Sequence, residues 1–370
     1  MTMPIRPGDL HAAPAPVRAH WVEGLPALID AVADAAPASH RFLRQQWFAA
    51  AVQAYGGTPR TLVATVGDIP VLALPIAPRA HRALGLASVP GCYWPFRSFP
   101  IMEGLPDAAI DAALGLLADH VRALRIGPAY DGDPALALFV ARARARGWGV
   151  VSRDVATSFL LDMAAARAEG TWPRNSTLKK NRFHEKHLAS HGELTWRFVD
   201  PLAWGEAFDA MAEVERRSWL ADRTDGSDAK FTRWGHGEFF RKAAQDPAIA
   251  RMFHAAILEV EGRPAAFSFD LDAGSLKYAI ANSYDPAYAK HSPGKLLYYR
   301  NLLEALERGI ERVDWGAGDS GYKRVIGAEE GPAIRDWVLL RPGLPARAAP
   351  LLRRIWRATD PDRADRGASA

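Results

Sequence analysis

Two stretches of this chain align with one another without a gap: VATVGDIPVLALP, Val63 to Pro75, and ILEVEGRPAAFSF, Ile257 to Phe269. Each reads as a short apolar strand, a glycine-containing turn, a proline and a second apolar strand, and Val66 and Pro70 are matched by Val260 and Pro264. The pattern predicts a β-hairpin at both places. A hairpin written twice restricts the chain to an architecture built twice. The surroundings agree. Helical stretches precede both hairpins, RFLRQQWFAAAVQAYGG before the first and FDAMAEVERRSWL and HGEFFRKAAQD before the second. The first is followed by the helix DAAIDAALGLLADHVRALRIG and a short strand. The second is followed by the strand LKYAIANS, a helix opening at SPGK, and the strand IERVDWG. Two related α/β domains side by side are predicted, joined near residues 155–170. The expected division is an N-terminal arm over 1–38, a first domain over 39–160, a second over 161–345, and a C-terminal helix with a polar tail over 346–370.

The 370 residues suffice for two domains with sizeable cores. At 49% hydrophobic and 24% charged residues, the composition is that of an ordinary globular protein. No apolar run approaches the ~18 residues of a membrane span, and the Pro/Ala-rich start has no apolar signal core. With Cys92 the only cysteine, no internal disulfide can form. These features together predict a cytoplasmic protein. Cys92 lies in the aromatic, apolar stretch GCYWPFRSFP and reads as an inert buried thiol rather than a nucleophile. The eleven histidines show no metal-ligand spacing, so no metal is expected. A net charge of +4 favours anionic partners but is too small for bulk nucleic-acid binding.

HSPGKLLYYRNLLEALERG, His291 to Gly309, is helical after its fourth residue, with Leu296, Tyr299, Leu302, Leu303 and Leu306 at helical spacing. Its start is unusual. A helix N-terminus favours acidic residues, whereas here Gly294 and Lys295 follow Ser292 and Pro293. A bare backbone beside an ammonium suits an anion. The alternative is that Gly294 packs against a neighbour and Lys295 points into water. The first half has no counterpart of this loop and carries GCYWPFRSFPIMEGLPD there. A phosphate-binding loop of the nucleotide triphosphatase type would need glycine at 289 and Ser or Thr at 296; Ala289 and Leu296 exclude it.

The block YDPAYAKHSPGKLLYYRNLLEALERGIERVDWGAGDSGYKRVIG, with SPGK, DWG and YKR in that order, resembles the acyltransferase domain of the GNAT superfamily in its two-domain branch. That branch includes the CelD/BcsL-type proteins associated with cellulose and exopolysaccharide synthesis and the FemAB-like peptidoglycan aminoacyltransferases. STLKKNRFHEKHL and ERRSWL resemble further pieces of the same half. The likeness implies an α/β (α+β) fold of tandem GNAT-like domains, each a mixed, mostly antiparallel sheet flanked by helices. It implies acetyl-CoA or another acyl-CoA as donor, or an acyl carrier protein presenting the same arm, and a small-molecule or glycan acceptor with an amine or hydroxyl. The alternatives are an aminoacyl-tRNA-dependent transferase and a non-catalytic binding protein of the same fold.

Carried onto this chain, the pantetheine strand is near Leu276 to Ser283, including Ala281 and Asn282, and the pyrophosphate loop comprises Lys290, His291, Ser292, Pro293, Gly294 and Lys295. Tyr322 stands at about the place where a GNAT tyrosine protonates the leaving thiolate; the alternative is that it packs or bonds structurally. Asp270 and Asp314 fall on predicted strands, where aspartate is disfavoured and needs a reason. Asp270 is the candidate base, and Asp314 serves either catalysis or the holding of Lys323 or a loop amide. Lys179 and Arg182, with Lys180 and Lys186, read as a solvated helix face or as contacts to an anionic donor or acceptor. Asp319 and Lys323 bind the acceptor or cap a helix.

Overall fold

The computed structural model describes residues 15–79, 84–92, 95–218, 229–232, 236–318 and 322–358. In chain order its elements begin with β1 (Val17–Glu23), α1 (Leu28–Asp34), α2 (Gln45–Tyr55), β2 (Arg60–Val66), β3 (Ile69–Pro78), β4 (Leu86–Ser88), α3 (Asp107–His120), β5 (Ala123–Tyr130) and α4 (Pro134–Ala145). Next come β6 (Gly149–Asp162), α5 (Met163–Ala168), α6 (Asn175–Leu188), β7 (Leu194–Phe198), α7 (Trp204–Arg217), α8 (His236–Ala243), α9 (Pro247–Met252), β8 (Phe253–Val260), β9 (Arg263–Ala273) and β10 (Leu276–Tyr284). The chain continues with α10 (Pro293–Glu307), β11 (Arg312–Ala317), α11 (Tyr322–Ile326), β12 (Glu329–Leu340), α12 (Leu344–Arg347) and α13 (Ala349–Ala358). It is a mixed α/β protein whose strands pair mostly antiparallel and are flanked by helices. The described residues form two compact units, one up to Thr157 and again from Pro332, the other Ser158–Gly331.

In the first unit the strand order is β1-β2-β3-β4-β5-β12, antiparallel except for β4 beside β5. Its core is built on Trp47, Phe48, Leu114, Phe99 and Phe139, all essentially inaccessible to solvent. Helix α4 starts where it does because Asp133 accepts the Leu136 N–H at 2.8 Å and Pro134 occupies the first turn. Asp133 is itself fixed by His40 Nε2 at 2.8 Å and by the Ser98 hydroxyl at 3.0 Å.

The second unit has the order β6-β11-β10-β9-β8-β7, with only β10 and β11 parallel. Trp204, Phe208 and Phe240 pack edge to face around Phe269, with Phe253 tilted against it, on one side of its sheet. Helix α10 lies against β8, β9 and β10 and packs on α6, to which the Arg300–Glu185 ion pair at 2.6 Å ties it.

The two hairpins repeat to the residue. In the first, Ala64 faces Leu72 and Thr65 faces Pro70; in the second, Leu258 faces Ala266 and Glu259 faces Pro264. Each therefore has a β-bulge one residue past its proline, at Val71 and Ala265, because proline has no N–H to give the ladder. Beyond the hairpins the Gly67 N–H donates to the Pro16 carbonyl and the Glu261 N–H to the Glu193 carbonyl, each at 2.9 Å. The parallel pairs also match: Leu86, Ala87 and Ser88 face Ala123, Leu124 and Arg125, as Leu276, Lys277 and Tyr278 face Arg312, Val313 and Asp314.

The last strands are exchanged. Strand β6 follows the first repeat in the sequence but pairs with β11, and β12 follows the second repeat but pairs with β5.

Candidate active site

Strands β10 and β11 are laddered only from Leu276–Tyr278 to Arg312–Asp314. Past that point β10 runs on to Tyr284 with a bulge against β9 between Ala279 and Ala281, and β11 bulges against β6 between Asp314 and Ala317. The two parallel strands thus part midway, leaving the β10 backbone beyond Tyr278 unladdered to β11. Ala281 and Asn282 lie on this free length, with Asn282 exposed.

After β10 the chain makes a short 3₁₀ turn, Pro286–His291, started by Asp285 accepting the Ala287 N–H at 2.9 Å. Ser292 then takes a left-handed conformation at φ 51° and opens α10 with no side-chain cap. The first turn has no acidic residue and leaves the N–H groups of Gly294 and Lys295 without intrahelical partners. Gly294 is buried, and a β-carbon there would stand 3.0 Å from Tyr284 Cδ1 and 3.1 Å from Asn282 Oδ1. Its bareness thus eases close packing of the loop on β10, the packing explanation for this glycine. Lys295 is half-buried: burial and the charge of Lys180 lower its pKa, and its Nζ lies 6.0 Å from the centre of the Tyr299 ring.

Around this helix start gathers a group of lysines and histidines that spacing along the chain did not reveal. His191 and His291 share a hydrogen bond between their Nε2 atoms at 2.9 Å. The His184 pKa is lowered by burial and then by Lys180, Lys295, His291 and His187. That of His291 is lowered by burial, His191, His187 and Lys290. Among the described residues, the groups that act on these two rings are lysines and histidines. The members come from α6, the 3₁₀ turn after it and the loop before α10, so the only sequence signal was the helical spacing of His184, His187 and His191. Lys179 and Arg182 are exposed on α6.

The predicted carboxylates lie elsewhere in the second unit. Asp270 is wholly buried under α10, held by Lys277 Nζ at 3.2 Å, Asn301 Nδ2 at 2.7 Å and the Ser268 hydroxyl at 3.4 Å. Burial raises its pKa, and Lys277 opposes this. Lys277, also fully buried, reaches Asp272 at 2.9 Å, and Asp272 meets Arg308 at 2.8 Å. Burial works to raise the Asp272 pKa, but Lys277, His254 and Arg308 outweigh it and the value falls. Asp314 accepts the Gly316 N–H at 2.6 Å. Lys323, expected at the acceptor, is buried and donates to the carbonyls of Trp315, Gly316 and Ala317 at 3.0, 3.3 and 2.9 Å. Asp314 and Lys323 together shape the end of β11 where it leaves β10. Tyr322 begins α11, with its side chain outside the described residues, as is all of Asp319. Among the described residues no three His, Cys, Asp or Glu side chains could hold a metal ion.

Residues 175–324 match the family described as acetyltransferase (GNAT) domain. No curated protein matches the sequence. Among solved structures, FemX superposes with a TM-score of 0.60 at 12% identity, over 86% of this chain and 96% of its own. A conserved protein of unknown function from Bacteroides thetaiotaomicron superposes at 0.55 with 12% identity, over 87% of this chain and all of its own. At such identities these likenesses speak for the fold alone. The parting parallel strands and the uncapped helix start both fall within residues 175–324, the stretch that matches the acetyltransferase (GNAT) domain family.

Proposed function

We propose that the protein is an acyl-CoA-dependent acyltransferase that passes the acyl group directly from the thioester to an amine or hydroxyl acceptor. The observation that carries this reading is the parting of β10 and β11 toward the acid-free start of α10, where Lys180, His184, His291 and Lys295 gather. The pantetheine arm lies along β10 at Ala281 and Asn282. The pyrophosphate meets Lys290, His291, Ser292 and the N–H groups of Gly294 and Lys295, with Pro293 fixing the turn. Lys179 and Arg182 extend the cationic surface toward the donor or an anionic acceptor.

The acceptor attacks the thioester carbonyl and gives up its own proton to solvent water, while a backbone N–H of β10 near its bulge stabilises the oxyanion. The C–S bond then breaks and Tyr322 gives its proton to the leaving thiolate. Asp270 is too enclosed to take the acceptor's proton, and we assign it, with Lys277 and Asn301, to the support of α10. Asp314 and Lys323 act as positioning residues by holding the end of β11, and Asp319 remains assigned to the acceptor. A surface-glycan acceptor rests on the sequence resemblance to the CelD/BcsL-type proteins. Aminoacyl transfer is the second reading, which the resemblance to the FemAB-like transferases suggests and the fold likeness to FemX also fits.

Calorimetric titration with acetyl-CoA, longer acyl-CoAs and free CoA tests the donor. Saturable binding, together with CoA release on adding amines or hydroxyl compounds, is expected of the wild type. Tyr322→Phe should bind the donor unchanged and lose about a hundredfold in turnover. No binding of any CoA species, with transfer from charged tRNA, would replace this reading by the second.

A further inference from the structure

Between Trp337 and Thr359 the chain has no Asp or Glu and five arginines, Arg341, Arg347, Arg353, Arg354 and Arg357. This length holds α12 and α13. The inner face of α13 is fully engaged. Ala349, Leu352 and Trp356 pack on Val151, Leu340, Val338 and Ala123. Gly149 makes this approach feasible, since a β-carbon there would stand 2.9 Å from Ala346 and 3.1 Å from Ala349. Arg353 Nη2 donates to the Val150 carbonyl at 3.2 Å, and the Arg153 guanidinium stands 5.0 Å from the centre of the Trp356 ring. One face of the helix is thereby fixed.

An exposed face flanking it is apolar too. Leu351 and Ile355, one turn apart, are 63% and 54% exposed, and Leu344 on α12 is 79% exposed. A helix that only covered a core would be polar on that side. Arg347 and Arg354 are exposed beside this stripe, and their side chains make no hydrogen bond or ion pair with the described residues. We propose that this face seats on an anionic phospholipid surface. The leucines and Ile355 enter the boundary between headgroups and acyl chains, and the arginines meet lipid phosphates. No helix among the described residues is long and apolar enough to cross a membrane, so the contact is peripheral and reversible. A second copy of the chain fits less well, because this face paired with itself would set Arg347 and Arg354 of one copy against those of the other.

The test is co-sedimentation of the full chain with vesicles of phosphatidylcholine alone and of equimolar phosphatidylcholine and phosphatidylglycerol. The wild type should partition at least about tenfold more strongly to the anionic vesicles, and less as salt is raised. The double variants Leu351→Glu with Ile355→Glu, and Arg347→Glu with Arg354→Glu, should each lose about tenfold or more. Because all four side chains are exposed, an unchanged thermal transition is expected and certifies the fold. Equal partitioning to both vesicles, or full binding by either variant, would overturn the proposal. So would a concentration-dependent dimer in sedimentation velocity that the Leu351→Glu and Ile355→Glu pair abolishes.

Discussion

Asn282 Oδ1 stands 3.1 Å from the position a β-carbon on Gly294 would take, so the free length of β10 and the first turn of α10 touch where the glycine lacks a side chain. Only side-chain atoms are close, Asn282 Oδ1 and Tyr284 Cδ1, and these can give by a few tenths of an ångström. Gly294→Ala should therefore keep CoA affinity within about threefold, the gain in helix propensity offsetting the squeeze. Gly294→Val cannot be absorbed in this way and should weaken binding by about tenfold or more. Calorimetric titration of both variants checks the pair; equal affinity for the two would separate the glycine from the donor site.

Donor binding should take up protons. The rings of His184 and His291 are held below their ordinary pKa first by burial and then by the lysines and other histidines around them. A phosphate placed among them raises both, so affinity rises as pH falls through their bound-state pKa values. Between pH 7.5 and 5.5 the wild type should bind CoA about three- to tenfold tighter relative to the variant His184→Gln with His291→Gln. Parallel pH profiles for the two proteins would remove the histidines from the donor site.

His254 gives a pH dependence of stability with the opposite origin. Burial, and next Lys277, lower its pKa from 6.5 to about 3. The Glu304 carboxylate 3.1 Å from its Nε2 does not reverse this, because the pair is poorly aligned for a hydrogen bond and Lys277 and Arg308 act against the charged ring. The unfolded chain therefore binds a proton below pH 6.5 that the folded chain refuses until about pH 3. Stability falls with falling pH across this window, by about 1.4 kcal/mol per unit at its steepest. Denaturant titrations at pH 7 and pH 4.5 should show a smaller loss in His254→Gln.

Lys277 is fully buried between Asp270 and Asp272. Lys277→Met leaves two carboxylates close together in the interior and should cost about 3–5 kcal/mol in urea unfolding at neutral pH. Adding Asp270→Asn should restore part of that loss. A single variant within about 1 kcal/mol of wild type would show that water reaches the cluster.

The repeat was legible because both hairpins carry the same proline at the same step, and the structure places the same bulge after each. The helix at SPGK and the strands around it were legible through period and turn residues. The exchange of β6 and β12 was not, since an apolar strand does not record which copy it pairs with. Nor were the histidine cluster and the Lys277 pair, whose members meet only through folding: His291 comes to His191 across a hundred residues, and Asn301 reaches Asp270 from a helix to a strand. The aspartates at 270 and 314 did signal that each needed a reason. The reasons found are a buried lysine and a loop amide.

The exchanged strands make one module of this chain an insert and the other its frame. Ser158–Gly331 is a continuous segment that already contains the part of β6 paired with β11, so it could be excised whole. The remainder has no such freedom. A chain stopped at Thr157 lacks β12, and β5 would be left with a bare row of amides and carbonyls on an apolar strand. Excision of the insert with a short bridge from Thr157 to Pro332 would keep that edge covered, whereas simple truncation invites another chain to cover it.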